Sequence, residues 1–336
     1  MCRSFCPVSE ATRREALTPG AKVSLAALSG GTPQAGAALA FAGCTGCARC
    51  TDECEHDNDV AGILFGARAT AVRAGVAPAA WTDLPLRFAQ RGHGEEADLA
   101  AVRRQVPSSR GEATLLAGCE ALARGGQVVR DALFTAEKLG VPLALAPEAV
   151  LCCGRKLLEG GHPEMEKAHA ARVRGALVRP RRPVHLVFLD PGCAAGVLED
   201  WPLPAGSRVE HVTTYLFRLL RAMPESDRPP RLPETAVFHD PCALARKLRE
   251  TAAPRALLAA AVRDVRDPAH CGADTSCCGA SGLLPRSMPE VARRIADERR
   301  GELGEGAVTA SPACAAALGA AEVVSVLARW LAQGTR

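Results

Sequence analysis

The sequence predicts an α/β protein, α+β overall, in which a helical N-terminal region precedes two repeated α/β regions. The first observation is a cysteine pattern that occurs twice: a single cysteine, an adjacent pair followed by glycine, and another single cysteine. Its members are Cys119, Cys152, Cys153 and Cys193, and then Cys242, Cys277, Cys278 and Cys314. The second observation is that short apolar runs alternate with helical stretches in both repeats, which predicts a layered sheet in each.

The predicted elements follow the cysteines along the chain. Strands are predicted at residues 114–117, 184–189 and 236–238, each ending at or near a cysteine. Helices are predicted at residues 164–178, 253–262 and 289–300. In layered α/β folds ligands gather beyond the carboxyl ends of the strands, so the cysteines are expected at that edge of each sheet.

Polar stretches rich in glycine and proline divide the chain into five parts. We expect a helical region at 1–80, a linker at 81–111, the first repeat at 112–222, a second linker at 223–234 and the second repeat at 235–333.

The composition is that of a globular protein and excludes a disordered chain. Of 336 residues, 48% are hydrophobic and 23% charged, and the formal net charge is +4. The basic residues are dispersed, which gives no footprint for nucleic acid. We expect no transmembrane helix and no signal peptide, and therefore a cytoplasmic protein. Thiols stay reduced there, so fifteen cysteines indicate metal or redox chemistry.

A ferredoxin-type run lies near the N-terminus. Cys44, Cys47, Cys50 and Cys54 follow the spacing C-x2-C-x2-C-x3-C, which is typical of a [4Fe–4S] site whose fourth cysteine binds the other cluster of a pair. Cys2 and Cys6-Pro7 match the second half of the same motif. This rule assigns Cys6 to the cluster of the first three cysteines of the run.

Cys54 and Cys2 would then bind a second cluster with two cysteines further upstream, which the sequence does not contain. Two interpretations stay open. Either the native chain begins earlier and this start is truncated, or the second cluster has been lost and Cys2 and Cys54 are ordinary thiols. Zinc is the alternative metal for the whole run.

The two Cys-Cys-Gly segments indicate that each repeat presents its thiolates to one inorganic cluster. Gly154 and Gly279 remove side chains where the backbone must come close to a cluster. A proline precedes each of Cys193, Cys242 and Cys314 by one or two positions and stiffens the turn.

The repeat resembles the cysteine-rich CCG domain of the B and D components of heterodisulfide reductase, which occurs doubled in glycolate oxidase iron–sulfur subunits and lactate-utilisation proteins. The segment from His239 to Arg246 resembles the family's HDPC…R segment, and the N-terminal region resembles the fused helical ferredoxin-like domain. The resemblance implies an iron–sulfur electron-transfer subunit of an oxidoreductase complex. It also implies a flavoprotein dehydrogenase as partner and two or three [4Fe–4S] clusters, with one more if the chain extends upstream.

Two positions depart from the family pattern. Asp190 and Ser311 stand where the family has the first cysteine of its final CxxC, so each repeat offers four cysteines rather than five. Four thiolates suit an ordinary [4Fe–4S] cube and electron relay. Iron ligation by Asp190 or Ser311 stays open, the alternative being a turn-capping role.

Two other functions remain in view. The first is disulfide reduction at a repeat cluster, as in heterodisulfide reductase. The second is a zinc-stabilised interaction module. No nucleotide-binding or hydrolase motif is present, so a flavin would belong to the partner. Peripheral association with a membrane is compatible with the sequence. No catalytic residue is assigned, and no cofactor other than the clusters is expected.

Overall fold

The computed structural model describes residues 5–56, 58–107 and 110–334. The helices are α1 (Pro7–Thr12), α2 (Pro19–Leu28), α3 (Ala35–Ala42), α4 (Arg49–Asp52), α5 (Val60–Arg73), α6 (Ala79–Thr82), α7 (Leu84–Arg91), α8 (Leu99–Gln105), α9 (Cys119–Ala123), α10 (Gln127–Lys138), α11 (Arg155–Glu159), α12 (Pro163–Leu177), α13 (Pro191–Asp200), α14 (Val212–Ala222), α15 (Ala252–Ala261), α16 (Leu284–Ser287), α17 (Pro289–Leu303), α18 (Pro312–Leu318) and α19 (Val323–Ala332). The strands are β1 (Thr114–Leu116), β2 (Ala144–Leu145), β3 (His185–Phe188), β4 (Arg208–His211), β5 (Leu232–His239), β6 (Val262–Arg266), β7 (Ala307–Thr309) and β8 (Ala321–Glu322).

The strands form two parallel sheets with equivalent orders, which confirms the predicted α/β class. The first sheet has the order β2-β1-β3-β4 and the second the order β6-β5-β7-β8. Parallel neighbours need crossover connections, and helices supply them in both sheets. The strands predicted at 114–117, 184–189 and 236–238 correspond to β1, β3 and β5.

The chain divides into two compact units, each built from several segments. The first contains Met1–Gly94, Gly154–His169 and Ser276–Gly301, and the second contains Glu95–Cys153, Ala170–Thr275 and Glu302–Arg336. All eight strands of the described residues belong to the second unit. The domain boundaries expected from the sequence stay a prediction.

Helices are the only regular secondary structure in the described residues of the first unit. Its core joins the N-terminal helices to the segment that follows the second Cys-Cys pair. Leu17 and Ala40 pack in one buried cluster with Leu284, Ala292 and Ile295. Packing between residues far apart in the sequence makes the later segment an integral part of the helical unit.

The second unit has a buried core around its first sheet, and its two repeats pack on one another through helices. Around the first sheet, Leu116, Leu186 and Phe188 are buried together with Val197 of α13. Helix α10 of the first repeat contacts α19 of the second, and α14 contacts α15. The unit is therefore a doubled α/β arrangement.

The described part of residues 81–111, expected to be a linker, contains two helices. Trp81, Leu84 and Leu99 are fully buried, and α7 and α8 lie within this stretch. The sequence did not predict the burial of these side chains, because isolated large apolar residues in a polar, glycine-bearing stretch give no periodic signal.

Candidate metal centres

The segment between α3 and α5 carries the ferredoxin-type run, with Cys44 and Cys47 in a loop and Cys50 on α4. Gly46 and Ala48 adopt left-handed backbone conformations, with φ of 67° and 62°. These turns curl the loop, and the Gly46 amide donates to the Cys44 Sγ at 3.4 Å. A side chain at Gly46 would press on the Phe65 ring, since a Cβ there would lie 3.0 Å from it.

Four of the predicted ligands line a single cavity in this helical unit. They are Cys6, Cys44, Cys47 and Cys50. The Lys22 side chain lines the same cavity, with Phe5, Val8 and Val60 forming part of its apolar wall. The Lys22 Nζ lies 3.6 Å from the Cys6 Sγ and 2.5 Å from the Gly43 carbonyl oxygen.

The chemistry of these donors fits a metal cluster. Burial raises the pKa of Cys50 to about 12, and the neighbouring thiols Cys47 and Cys44 add to the rise. Burial also raises the pKa of Cys6, against which the Lys22 ammonium acts. Thiolates crowded in an apolar cavity repel one another, and a bound cationic core would relieve that repulsion and release their protons.

Two further cysteines are predicted as ligands in this region, Cys54 and Cys2. Cys54 does not belong to the lining, and its Sγ accepts a hydrogen bond from the Asn58 amide at 3.5 Å. Cys2 lies outside the described residues. Their assignment to a second ferredoxin-type cluster stays a prediction.

The first repeat gathers its four cysteines at the carboxyl edge of its sheet. Cys119 follows β1 and Cys193 follows β3, the two central strands. The Cys153 and Cys193 sulfurs are 3.0 Å apart, and the Cys152 thiol hydrogen-bonds both Cys119 and Cys153. These hydrogen bonds, then burial, raise the pKa of Cys152 well above its usual range, and the bond with Cys153 does the same for Cys193. Four thiols joined in one chain of sulfur contacts form a donor set that fits a four-iron cluster.

Asp190 and Ser311 contact one another across the two repeats. The Ser311 hydroxyl donates to an Asp190 carboxylate oxygen at 3.1 Å. The other carboxylate oxygen accepts from the backbone amide of Cys193 at 3.1 Å and caps the N-terminus of α13. Burial and the neighbouring Cys153 raise the pKa of Asp190 to about 6. Asp190 therefore has a capping role, as one of the two sequence interpretations expected.

The second repeat distributes its cysteines between the units. Cys242 follows β5 and Cys314 follows β7, in the same positions as Cys119 and Cys193 of the first repeat. A ring nitrogen of His239 and the Cys314 Sγ lie within 4.8 Å of one another. Cys277 and Cys278 belong to the helical unit, where the Cys277 thiol donates to the Thr45 hydroxyl at 3.5 Å. A shared cluster for these four cysteines stays a prediction.

Sequence reasoning missed Arg68, which is fully buried in the helical unit. Its five N–H donors reach five backbone carbonyl oxygens at distances from 2.6 to 3.4 Å, the full capacity of a guanidinium. The acceptors are Phe41, Ala42, Cys44, Glu159 and Gly282. Arg68 thus ties the ferredoxin-type loop to the segment that follows Cys277 and Cys278. An arginine in the interior of a largely apolar helix was the only available signal.

A second set of charged residues supports the loop before Cys277. Arg246 donates to the carbonyl oxygens of Ala273 and Thr275 at 2.8 and 3.0 Å. Buried Asp240 binds Arg255 through both carboxylate oxygens and accepts from the Gly272 amide. Asp240 and Arg246 therefore hold the loop that leads to Cys277 and Cys278.

Comparison with known proteins relates the second repeat to a known domain family. Residues 236–319 match the family model of the cysteine-rich domain CCG. The second repeat is thus similar to the CCG domain. This match confirms the resemblance that the cysteine spacing predicts, and the first sheet has the same strand order as the sheet of that repeat.

Curated relatives extend the similarity beyond the CCG domain. The D component of dihydromethanophenazine:CoB–CoM heterodisulfide reductase from Methanosarcina barkeri is 27% identical over 277 residues, which cover 76% of this chain and 66% of that component. Lactate utilization protein A of Shouchella clausii is 28% identical over 189 residues, covering 52% of this chain and 75% of that protein. This chain thus spans just under two thirds of the heterodisulfide reductase component. The similarity is to proteins of redox metabolism.

No helix among the described residues is long and apolar enough to cross a membrane.

Proposed function

We propose that this protein is an iron–sulfur electron-transfer subunit of an oxidoreductase complex, which relays electrons from a flavoprotein dehydrogenase through [4Fe–4S] clusters. The observation that carries the proposal is the presence of two separate sets of four cysteine thiols. One set lines a cavity of the helical unit and the other converges at the edge of the first sheet. Similarity to the heterodisulfide reductase and lactate utilization proteins supports the same conclusion.

Three clusters are proposed, each with four thiolates. Cys6, Cys44, Cys47 and Cys50 would hold one, Cys119, Cys152, Cys153 and Cys193 a second, and Cys242, Cys277, Cys278 and Cys314 a third. A [4Fe–4S] cluster supplies reversible one-electron transfer at a potential that its surroundings set.

The surrounding residues of this chain would hold the ligands still and keep water out. Arg68 fixes the carbonyl of Cys44, and Thr45 contacts the thiol of Cys277. Two loops that carry predicted ligands of different clusters are thereby linked within the helical unit. Such a link favours passage of electrons between the ferredoxin-type cluster and the cluster to which Cys277 and Cys278 would contribute.

The hydrogen bonds of Asp190 and Ser311 support ordinary four-thiolate clusters in the repeats. Both carboxylate oxygens of Asp190 are engaged, one by Ser311 and one by the Cys193 amide. A fifth ligand would have to give up these bonds. We therefore propose electron relay as the primary function. The proposal includes a cytoplasmic location and a flavoprotein partner.

The deciding measurement is iron and acid-labile sulfide per chain in anaerobically purified protein, together with the visible spectrum. About twelve irons with matching sulfide and a brown colour are expected for three four-iron clusters. Zinc without sulfide would overturn the proposal and favour a zinc-stabilised interaction module.

A second candidate function is disulfide reduction at a CCG-domain cluster, with two electrons and two protons converting one disulfide into two thiols. Similarity to a heterodisulfide reductase component over 76% of the chain favours it. It predicts that an added disulfide changes the electron paramagnetic resonance spectrum of the reduced protein and is consumed at the expense of a supplied electron donor. Relay alone predicts neither.

A further inference from the structure

Lys22 is a buried cation that neither the sequence motifs nor the comparisons assign. It lies on α2, and its side chain is 1% exposed. Of the five lysines in the chain, it alone is buried. Burying an ammonium in an apolar environment is costly unless the charge is compensated by a partner.

The surroundings of Lys22 contain no carboxylate among the described residues that line its cavity. The lining comprises the four cysteines Cys6, Cys44, Cys47 and Cys50, apolar side chains, Thr45 and Lys22 itself. One close partner of the ammonium is the Gly43 carbonyl oxygen, and the other is the Cys6 sulfur. The compensating negative charge therefore has to come from thiolates.

We infer that Lys22 is a positioning and charge-compensating residue of the ferredoxin-type cluster, and that it raises the reduction potential of that cluster. The inference rests on the proposed function and adds to it the residue that tunes one site. Reduction adds a negative charge to the cluster, and a nearby ammonium that donates toward a ligand sulfur favours the reduced form. By binding the Gly43 carbonyl, Lys22 also fixes the backbone immediately before Cys44.

The test is an anaerobic redox titration of the cluster-loaded protein monitored by electron paramagnetic resonance. The variants are Lys22→Met and Lys22→Gln, which remove the charge, and Lys22→Arg, which keeps it. Lys167→Met is the control, because the Lys167 side chain is 69% exposed. The midpoint of one cluster is expected to shift to more negative potential in both neutral variants. The midpoint potential of Lys22→Arg should stay close to the wild-type value, and the control should match wild type.

The outcomes separate this inference from the proposed function. A wild-type chain without iron and sulfide would overturn both. A loaded Lys22→Met protein that titrates at the wild-type potential would overturn only the role of Lys22. Loss of one cluster from both neutral variants, with retention in Lys22→Arg, would also support charge compensation. Loss of that cluster from all three variants would overturn it, because restoring the charge would then not rescue the site.

Discussion

The cysteine site of the helical unit and that of the first repeat have the same donors and opposite charges beside them. Lys22 places an ammonium 3.6 Å from the Cys6 sulfur in the helical unit. Asp190 places a carboxylate beside Cys153 and Cys193 in the first repeat. Net charge is one of the determinants of cluster potential. The difference teaches that two equal sets of thiols need not be equal electron carriers: the helical site is expected to be the more easily reduced.

The largest expected effect comes from breaking one site while leaving the other intact. Cys50→Ser should remove one cluster, about four of about twelve irons, because Cys50 lines the cavity of the helical unit. Cys54→Ser is the matched control, since Cys54 is outside that lining. Iron and sulfide analysis checks the result. Equal iron loss in both variants would contradict the four-cysteine assignment.

The next effect concerns how the two sites are built. The first-repeat site rests on strand ends, whereas Arg68 ties together the loops beside the helical site. Arg68→Met should lower the free energy of unfolding by about 3–5 kcal/mol, because it leaves buried carbonyls without donors.

Denaturant unfolding followed by circular dichroism measures this change. Arg87→Met is the control, because Arg87 forms a part-exposed ion pair with Asp83 four residues before it. That pair is worth at most about 1 kcal/mol. A loss in Arg68→Met no greater than in the control would refute the role of Arg68.

A smaller effect is a pH dependence on the first-repeat side. His211 is buried, with Nε2 donating to the Leu189 carbonyl just before Asp190 and Nδ1 accepting from Thr213. Burial lowers the pKa of His211 from 6.5 to about 4. The unfolded chain therefore binds more protons below pH 6.5, and stability falls as the pH drops from 6.5 toward 4.

The His211 contribution should decline by about 2 kcal/mol between about pH 8 and about pH 5. Comparing unfolding of wild type and His211→Asn over this range isolates it, and the difference between them should shrink on acidification. His270→Asn, at a half-exposed histidine, is the control. A difference that is constant with pH would exclude this role of His211.

The smallest effect sharpens the charge comparison itself. Asp190→Asn removes the carboxylate charge but keeps an oxygen that can accept from the Cys193 amide. At about pH 8, above the pKa of about 6, the first-repeat cluster should shift to more positive potential. The expected size is about 59 mV, a tenfold change in a one-electron equilibrium.

This shift is opposite in sign to that expected for Lys22→Met at the helical site. Redox titration of Asp190→Asn, with Asp200→Asn at the exposed end of α13 as control, measures it. A shift of the midpoint potential to a more negative value would contradict an effect of the Asp190 charge on the cluster.

The sequence by itself determined the fold class, the doubled cysteine pattern and three of the four central strands, β7 being the one it missed. Those features are local: β1, β3 and β5 are apolar runs, and the cysteine spacings are read directly along the chain. The edge strands β2 and β8, with two residues each, were not predictable, because two residues carry no periodicity. The helices α7 and α8, within the predicted linker 81–111, were not predicted for a similar reason.

Only the tertiary structure decided what lies beside the thiols. Lys22 is 16 residues from Cys6, and Ser311 is 121 residues from Asp190, yet both pairs are in contact. Neither pairing leaves a spacing rule in the sequence, because packing of separate elements brings the partners together. Arg68 likewise depends on carbonyls up to 214 residues away. The cysteine donors can be identified from the sequence alone. The charged side chains beside them and the hydrogen bonds that hold their loops depend on long-range packing.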